Sequence, residues 1–420
     1  MARLSRVTAG VAGNMAVGSV AQLGRGQRPR MRDLLLTPRN ATRIVDELAK
    51  MRGAAMKMGQ LMSMDTGDVL PPELAQIMAR LRDDAHVMPP KQLKSVLNDQ
   101  WGDGWLRGFN RFDVRPIAAA SIGQVHRALT KDGRDLAIKV QYPGVARSID
   151  SDVSNVGALI KLTGLLPKGF ALGPYLEEAK VQLHAETDYA AEAKALNQFA
   201  TLLEGDGRFV VPKFEATWSG PQILAMDYVA STPIEDVAGA DRATRNRVAA
   251  DLIDLMLREL FEFGLMQTDP NFANYRYIAD TGQIVLLDFG ATRALRPQAS
   301  DDYRAIMGAG LDGDRGGLLD AALRIGFVTE AIEDRHLNRI MDMMETVFGA
   351  LTRTEDFDFA DPALSRRMQA QGMALADDGF VPPPLPMDAL FLQRKFAGMF
   401  LLAARLRAHV PVAQMIRHWL

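Results

Sequence analysis

The 420-residue chain contains no cysteine. Disulfides, thiolate nucleophiles and cysteine-ligated zinc are therefore excluded, and the absence fits a reducing compartment. Histidine is sparse: His86, His126, His184, His336, His409 and His418 lie far apart with no H-x3-H pairing, which argues against a zinc site. No run of 18 or more apolar residues occurs, so no spanning helix is expected. The best C-terminal candidate, Met387 to Leu406, carries Arg394, Lys395 and Arg405 and reads as a soluble helix. Neither sign of charge dominates: 49 Lys and Arg face 51 Asp and Glu, a net charge of −2, so nothing pulls the whole chain toward nucleic acid. Internal repeats and low-complexity linkers are also missing. What remains, at 48% hydrophobic and 24% charged residues, is globular in type and long enough for two or three domains.

Acids are absent from the first 32 residues, where Arg3, Arg6, Arg25, Arg28, Arg30 and Arg32 flank a small-residue stretch from Val7 to Leu23. A signal peptide, an arm touching anionic lipid and a solvated tail are the three readings of this segment. Thr37-Pro38 then reads as a helix start. Ile44, Leu48, Met51, Ala55, Met58 and Met62 follow a 4-3-4-3-4 spacing, which predicts an amphipathic helix to about Met64. Its methionines suit a core, or an adaptable surface for a flexible lipid tail. Pro71-Pro72-Glu73 starts another helix, and Met88-Pro89-Pro90 breaks the pattern again.

From Phe112 to Gln141 the pattern becomes that of short strands, with Ile122–Ala128 and Asp135–Val140 as a hairpin turning at Lys131-Asp132-Gly133. Gly144 to Leu203 reads as helical with a break at Pro167-Lys168-Gly169. Phe209–Phe214 and Gln222–Val229 read as strands. The rest reads as helical apart from one hairpin, Tyr275–Ile278 with Gln283–Leu287, and a late break at Val381-Pro382-Pro383-Pro384.

Chemistry concentrates around that last hairpin. Asp288-Phe289-Gly290 follows its second strand, where a carboxylate at a buried strand end suits a hard cation such as magnesium. Nineteen residues earlier stands Asp269, and Asp269 with Asn274 has the Asp-x4-Asn spacing of a kinase catalytic loop. In that pattern Asp269 faces the acceptor, and Asn274 with Asp288 holds the metal. Upstream, Lys139 in Leu136-Ala137-Ile138-Lys139 resembles the strand lysine that neutralises nucleotide phosphates. Before it, Ala118-Ala119-Ala120-Ser121-Ile122-Gly123-Gln124-Val125 lies where a glycine-rich loop is expected, with Gly123 and Val125 kept and two glycines replaced by Ala118 and Ala120. Alanine restricts the positive-φ conformations open to glycine, so the loop should be stiffer. Glu192 is the candidate acid partner of Lys139, and the 53 residues between them imply a helical insert. Taken alone, Lys57 and Gln60 read as a solvated helix face, and Glu186 and Asp188 as surface charges.

Together, Lys57-Met58-Gly59-Gln60, the alanine-rich loop, Glu186-x-Asp188 and the Asp-x4-Asn/Asp-Phe-Gly pair resemble the UbiB/AarF-like atypical kinases over about Thr37 to Leu420. The resemblance implies an α+β, bilobal protein-kinase-like fold with helical N-terminal and C-terminal extensions and a helical insert in the N-lobe at about 144–183. The expected parts are a basic arm (1–36), a Lys-x-Gly-Gln extension (37–110), an N-lobe (111–229), a C-lobe (230–345) and a C-terminal extension (346–420). It also implies that Lys57 and Gln60, three apart on one helix face, meet Glu186 and Asp188 over the active site with Asp269. Ala118 to Ser121, Gly123, Val125, Lys139, Glu192, Asp227 and Val229 would bind ATP, with Mg2+ on Asn274 and Asp288.

The activity so implied is that of an ATPase or a small-molecule or lipid kinase in ubiquinone or related isoprenoid-lipid biosynthesis. The protein would be cytoplasmic and peripheral on an anionic membrane. Its partners would be an isoprenoid or quinone precursor or lipid-biosynthesis enzymes, and not nucleic acid. A nucleotide-switched module that presents lipid or a partner, with little phosphoryl transfer, is the alternative. Protein kinase activity is disfavoured: Gln267-Thr268 replaces His-Arg before Asp269, no Ala-Pro-Glu follows Asp288, and Ala291 to Ser300 is short for a regulated activation loop.

Overall fold

The computed structural model describes residues 51–65, 87–163, 172–383 and 385–420. The arm 1–36, the helix starts expected at Thr37-Pro38 and Pro71-Pro72, and the break at Pro167-Lys168-Gly169 lie outside these residues. The backbone divides into two units, the first running to Ala193 and including Phe214–Tyr228, the second holding Lys194–Lys213 and Val229–Leu420.

In the first unit, helix α1 (Arg52–Asp65) and the residue before it bury Met51, Ala55 and Met58, the stripe that the heptad-like spacing predicts. Helix α2 (Pro90–Trp101) begins on its proline, whose missing N–H costs nothing in the first turn. Strands β1 (Phe109–Phe112), β2 (Ala118–Ala119), β3 (Gly123–Thr130) and β4 (Asp135–Gln141) follow, then helices α3 (Val145–Thr163), α4 (Leu172–Glu186) and α5 (Tyr189–Leu202), the last of which belongs to the second unit from Lys194 onward. The chain passes through β5 (Phe209–Val210) in the second unit and returns with β6 (Ile223–Asp227). The antiparallel sheet has the order β1-β3-β4-β6, with β2 paired to β3. Along β4, Leu136, Ile138 and Val140 alternate onto the face that packs with Leu93, Val96 and Leu97 of α2. Period two therefore turns Lys139 to the other face. Trp101, Trp105, Phe109, Phe112 and Trp218 close the core with ring contacts, Phe109 to Trp218 at 4.3 Å between centroids.

In the second unit come β7 (Thr232–Pro233), α6 (Arg242–Arg258), a π turn over Glu259–Phe263, and β8 (Leu265–Gln267). The hairpin β9 (Tyr275–Ile278) and β10 (Gln283–Leu286) forms as expected, and β11 (Thr292–Ala294) returns to pair with β8. Helices α7 (Pro297–Asp312), α8 (Arg315–Ile325) and α9 (Asp334–Thr352), strand β12 (Phe357–Asp358), helices α10 (Ala363–Asp377) and α11 (Met387–Arg405), strand β13 (His409–Val410) and α12 (Val412–Arg417) complete it. No helix of the described residues is long and apolar enough to cross a membrane.

Two sequence expectations are corrected here. Phe209–Phe214 is not one strand: Phe209–Val210 runs parallel to β10, while Phe214 bridges Met226 in the first unit. The second unit also holds strands outside the hairpin, namely β7, β8, β11, β12 and β13. Each has only two or three residues, too few to print an alternation in the sequence.

His126 on β3 shows how tightly the first unit fixes protonation. Its Nδ1–H donates to the Asp113 carbonyl (2.8 Å), and its Nε2 accepts from the Gln124 amide (2.8 Å). That orientation is forced, because Gln124 Oε1 accepts the Met88 N–H at 2.8 Å. Burial pushes the imidazole below its ordinary value, with the bond to Asp113 opposing. A group depressed on folding contributes stability above its unfolded value of 6.5 and loses it as pH falls through the folded value. The unfolding midpoint should therefore drop as pH is lowered from about 7.5 to about 5.5. His126→Gln should be less stable at the upper pH yet change less across the window, and equal slopes in both proteins would remove this role from His126.

Candidate active site

In the first unit the site grows from strand register. Ala118 on β2 stands opposite Val125 on β3, Val125 opposite Lys139 on β4, and Lys139 opposite Leu224 on β6. Residues in register share a face at strand spacing, so Ala118, Val125 and Lys139 form one row. Gly123 pairs with Gln141, and the Ala120 N–H donates to the Gly123 carbonyl (2.9 Å), folding Ala118 to Gly123 into a tight turn. Lys139 donates to both carboxylate oxygens of Glu192 on α5, at 2.8 and 3.0 Å, and sits over the Tyr189 ring at 5.3 Å. The Glu192 side chain is 1% exposed.

Lys57 does not lie on a solvated face. It is 2% exposed and meets Glu186 at 2.7 Å. The Ser121 hydroxyl donates to the other Glu186 oxygen, so one carboxylate ties α1 and the end of α4 to the alanine-rich loop. The helix lies close enough that a Cβ at Gly53 would stand 2.7 Å from the Ser121 carbonyl oxygen. Asp188 is exposed and caps α5, accepting the Ala191 N–H at 2.9 Å. Gln141 donates to the Thr187 carbonyl (2.7 Å), which fixes the short segment between Glu186 and Asp188. Gln60 lies on α1, but its side chain is outside the described set. Asp227 ends β6 opposite Leu136, and Val229, whose carbonyl accepts the Ser231 hydroxyl at 3.0 Å, begins the next stretch of the second unit.

The second unit carries the other cluster. Asn274 donates from Nδ2 to the Asp269 carbonyl (3.2 Å) and carboxylate (3.3 Å), which leaves its amide oxygen to act as an acceptor. Asp288 Oδ1 accepts the Gly290 N–H at 2.9 Å, and Phe289 is buried against Phe199, with ring centroids 5.1 Å apart. Asn274 and Asp288 border the same small void of about 10 Å³. The Leu287 N–H donates to the Asn274 carbonyl (3.0 Å), and Thr268 is tied to Ala291 by its N–H (3.1 Å) and hydroxyl (2.7 Å). No cluster of three His, Cys, Asp or Glu side chains occurs among the described residues. One carboxylate and one amide oxygen fit magnesium bound through phosphate and water oxygens, and do not fit an all-protein cage.

One residue escaped the sequence analysis. Lys395 of α11, counted there as a charge on a soluble helix, is 1% exposed. Its ammonium donates to the Gln267 carbonyl (2.8 Å) and the Tyr275 hydroxyl (3.0 Å) and pairs with Glu259 at 3.0 Å. Burial disfavours the charge, but the Glu259 carboxylate and Tyr275 outweigh it and hold Lys395 above the ordinary lysine value. The only sequence signal was a lysine directly followed by the apolar run Phe396 to Ala404.

Known proteins resemble this chain in family and fold. The ABC1 atypical kinase-like domain matches residues 80–322. The mitochondrial atypical kinase COQ8 of Saccharomyces cerevisiae is 36% identical over 415 residues, covering 98% of this chain and 82% of that protein. Mitochondrial COQ8B of Danio rerio is 36% identical, covering 98% of this chain and 68% of that one. Among solved structures, the Mycobacterium tuberculosis protein Rv3197, in complex with erythromycin, superposes with a TM-score of 0.61. At 23% identity, covering 85% of this chain and 89% of that one, it shares the fold.

Breaking an ion pair whose lysine is buried is destabilising. Glu186→Gln should accordingly destabilise the chain, and Lys57→Met combined with it should cost less than the sum of the single changes. A double-mutant cycle read by denaturant unfolding checks this, and additivity to within about 0.3 kcal/mol would show that the pair does not couple.

Proposed function

The chain belongs to the ABC1 atypical kinase-like family and has its α+β kinase-like fold, and on that premise we propose that it binds Mg-ATP and acts as an ATPase or as a small-molecule or lipid kinase. The pathway proposed is ubiquinone or related isoprenoid-lipid biosynthesis, served from a membrane surface, in keeping with the COQ8 relatives. The observation that carries the reading is the Lys139–Glu192 pair. A strand lysine is kept almost out of water, held by a carboxylate that is itself buried, in one row with Ala118 and Val125. Such a lysine is pre-positioned to meet a polyphosphate without a rotamer search.

In this reading Ala118 to Ser121, Gly123 and Val125 flank the phosphates, and Asp227 and Val229 meet the rest of the nucleotide. Asp269 orients a water or an acceptor hydroxyl by accepting its hydrogen bond. Asn274, its amide fixed by Asp269, and Asp288, fixed by Gly290, hold the cation. Magnesium, when bound, supplies charge neutralisation at the phosphate oxygens. Lys57, bound to Glu186 beside Ser121, holds α1 against the alanine-rich loop, and Gln60 and Asp188 act with it. That restraint, and the tie of Thr268 to Ala291, support a small acceptor over a peptide.

A second reading, a nucleotide-switched module that holds a lipid, draws on a different observation. Within the second unit lies a cavity of about 350 Å³ walled by apolar side chains, among them Met256, Met307, Phe348, Phe396 and Phe400, with Tyr303 as the one hydroxyl. A cavity of roughly 150 Å³ holds a benzene, so this one has room for an apolar chain of about ten carbons or more.

Thermal unfolding with and without Mg-ATP, against magnesium alone, tests the nucleotide site. Ligand at 100 times its dissociation constant adds about 2.7 kcal/mol, and the wild-type midpoint should rise visibly. Asp288→Asn should lose most of that rise while unfolding normally without ligand, and should turn over ATP at least about a hundredfold more slowly. A variant that hydrolyses ATP like wild type would overturn the metal assignment, while binding without turnover in wild type would favour the module.

A further inference from the structure

Resting on the reading that Asp269 and Asn274 perform the chemistry, we propose that α11 is the seat of their loop, with Lys395 and Gly398 as its positioning residues. The ammonium of Lys395 donates to the Gln267 carbonyl and the Tyr275 hydroxyl and is ion-paired with Glu259. Gln267 is the residue before Thr268-Asp269, and Tyr275 follows Asn274 directly. One cation therefore fastens both ends of the loop, and Glu259, 2% exposed in the π turn after α6, fastens the cation.

Gly398 acts at the middle. It stands three residues after Lys395, on the same helix face. A Cβ placed there would lie 2.1 Å from the Pro270 Cβ and 2.9 Å from its Cγ. Only a glycine lets the helix backbone come this close to the residue after Asp269. The loop is thus held at Gln267, Pro270 and Tyr275 by side-by-side positions of one helix.

Stability alone does not call for this arrangement. Apolar residues of similar volume commonly stabilise a core as well as a buried ion pair does. Directed bonds from a desolvated ammonium to Gln267 and Tyr275 do what apolar packing cannot, which is to fix the separation and orientation of the two loop ends. An error of about 1 Å in a reacting group can cost about a hundredfold in rate. Lys395 and Gly398 also lie beyond residues 80–322, the span of the matched domain, so the C-terminal extension would complete the machinery of that domain.

The test uses the full chain and three variants. Lys395→Met with Glu259→Gln removes both charges together and leaves none uncompensated. Tyr275→Phe removes a single anchor, and Gly398→Ala adds a methyl without removing any polar atom. Each is measured for unfolding midpoint, Mg-ATP affinity, turnover, and hydrogen exchange of the backbone at 267–275. The expected result is ATP affinity within about twofold of wild type, turnover down about tenfold or more, and faster exchange confined to that segment. Gly398→Ala and Tyr275→Phe keep the test decisive if the charge-free pair does not fold. Variants that fold, turn over ATP at the wild-type rate and exchange normally overturn the proposal. Should the wild type show no turnover, the proposed activity fails, and exchange alone decides the seat: unchanged protection at 267–275 in every folded variant overturns it.

Discussion

A lysine taken out of water must be met by a carboxylate, and among the described residues three such meetings organise the fold. Lys57 with Glu186 and Lys139 with Glu192 lie in the first unit, and Lys395 with Glu259 in the second. Each pair joins a helix to something else: the end of another helix, a strand, and a π turn. Isolated burial of any of these charges would cost several kcal/mol, so the elements that carry them are bound to one relative placement. The tight turn from Ala118, the capped start of α5 and the Asp269 loop are each attached to one of these pairs through Ser121, Tyr189 and Gln267. Packing sets the frame, and paired charge sets the site.

The sequence discloses those parts of the site whose residues must follow one another at fixed spacing. Asp269 and Asn274 read as one loop because six residues of chain can turn back on themselves only in a few ways. The hydrogen bond between them is the outcome. Glu192 reads as the partner of Lys139 across 53 residues because the strand lysine of the kinase pattern needs an acid on a helix. Lys57 was harder. On a helix, a buried and a solvated lysine have the same spacing, and only the position of Glu186, more than a hundred residues on, tells them apart.

Lys395 and the short strands were illegible for related reasons. The charges at Arg394, Lys395 and Arg405 argued correctly against a spanning helix, yet Arg394 and Lys395 point inward. Charge content does not report direction when the partner is Gln267 or Tyr275, more than a hundred residues earlier. Likewise Phe209–Phe214 has the composition of one strand, and its two ends are claimed by different sheets. Local preference proposes an element, and the nearest unsatisfied edge decides how much of it forms.

The pairing of Thr292–Ala294 with Leu265–Gln267 has a consequence for control. Between Phe289 and Arg296 the one hydroxyl is that of Thr292, and its oxygen is buried within the paired segment. A modifying enzyme would have to unzip that ribbon to add a phosphate, and no slack chain exists there for the phosphate to rearrange. Phosphorylation at Thr292 is thereby disfavoured. The segment after Phe289 is held in one conformation by its neighbour strand, not left as a loop that a charge could reorder.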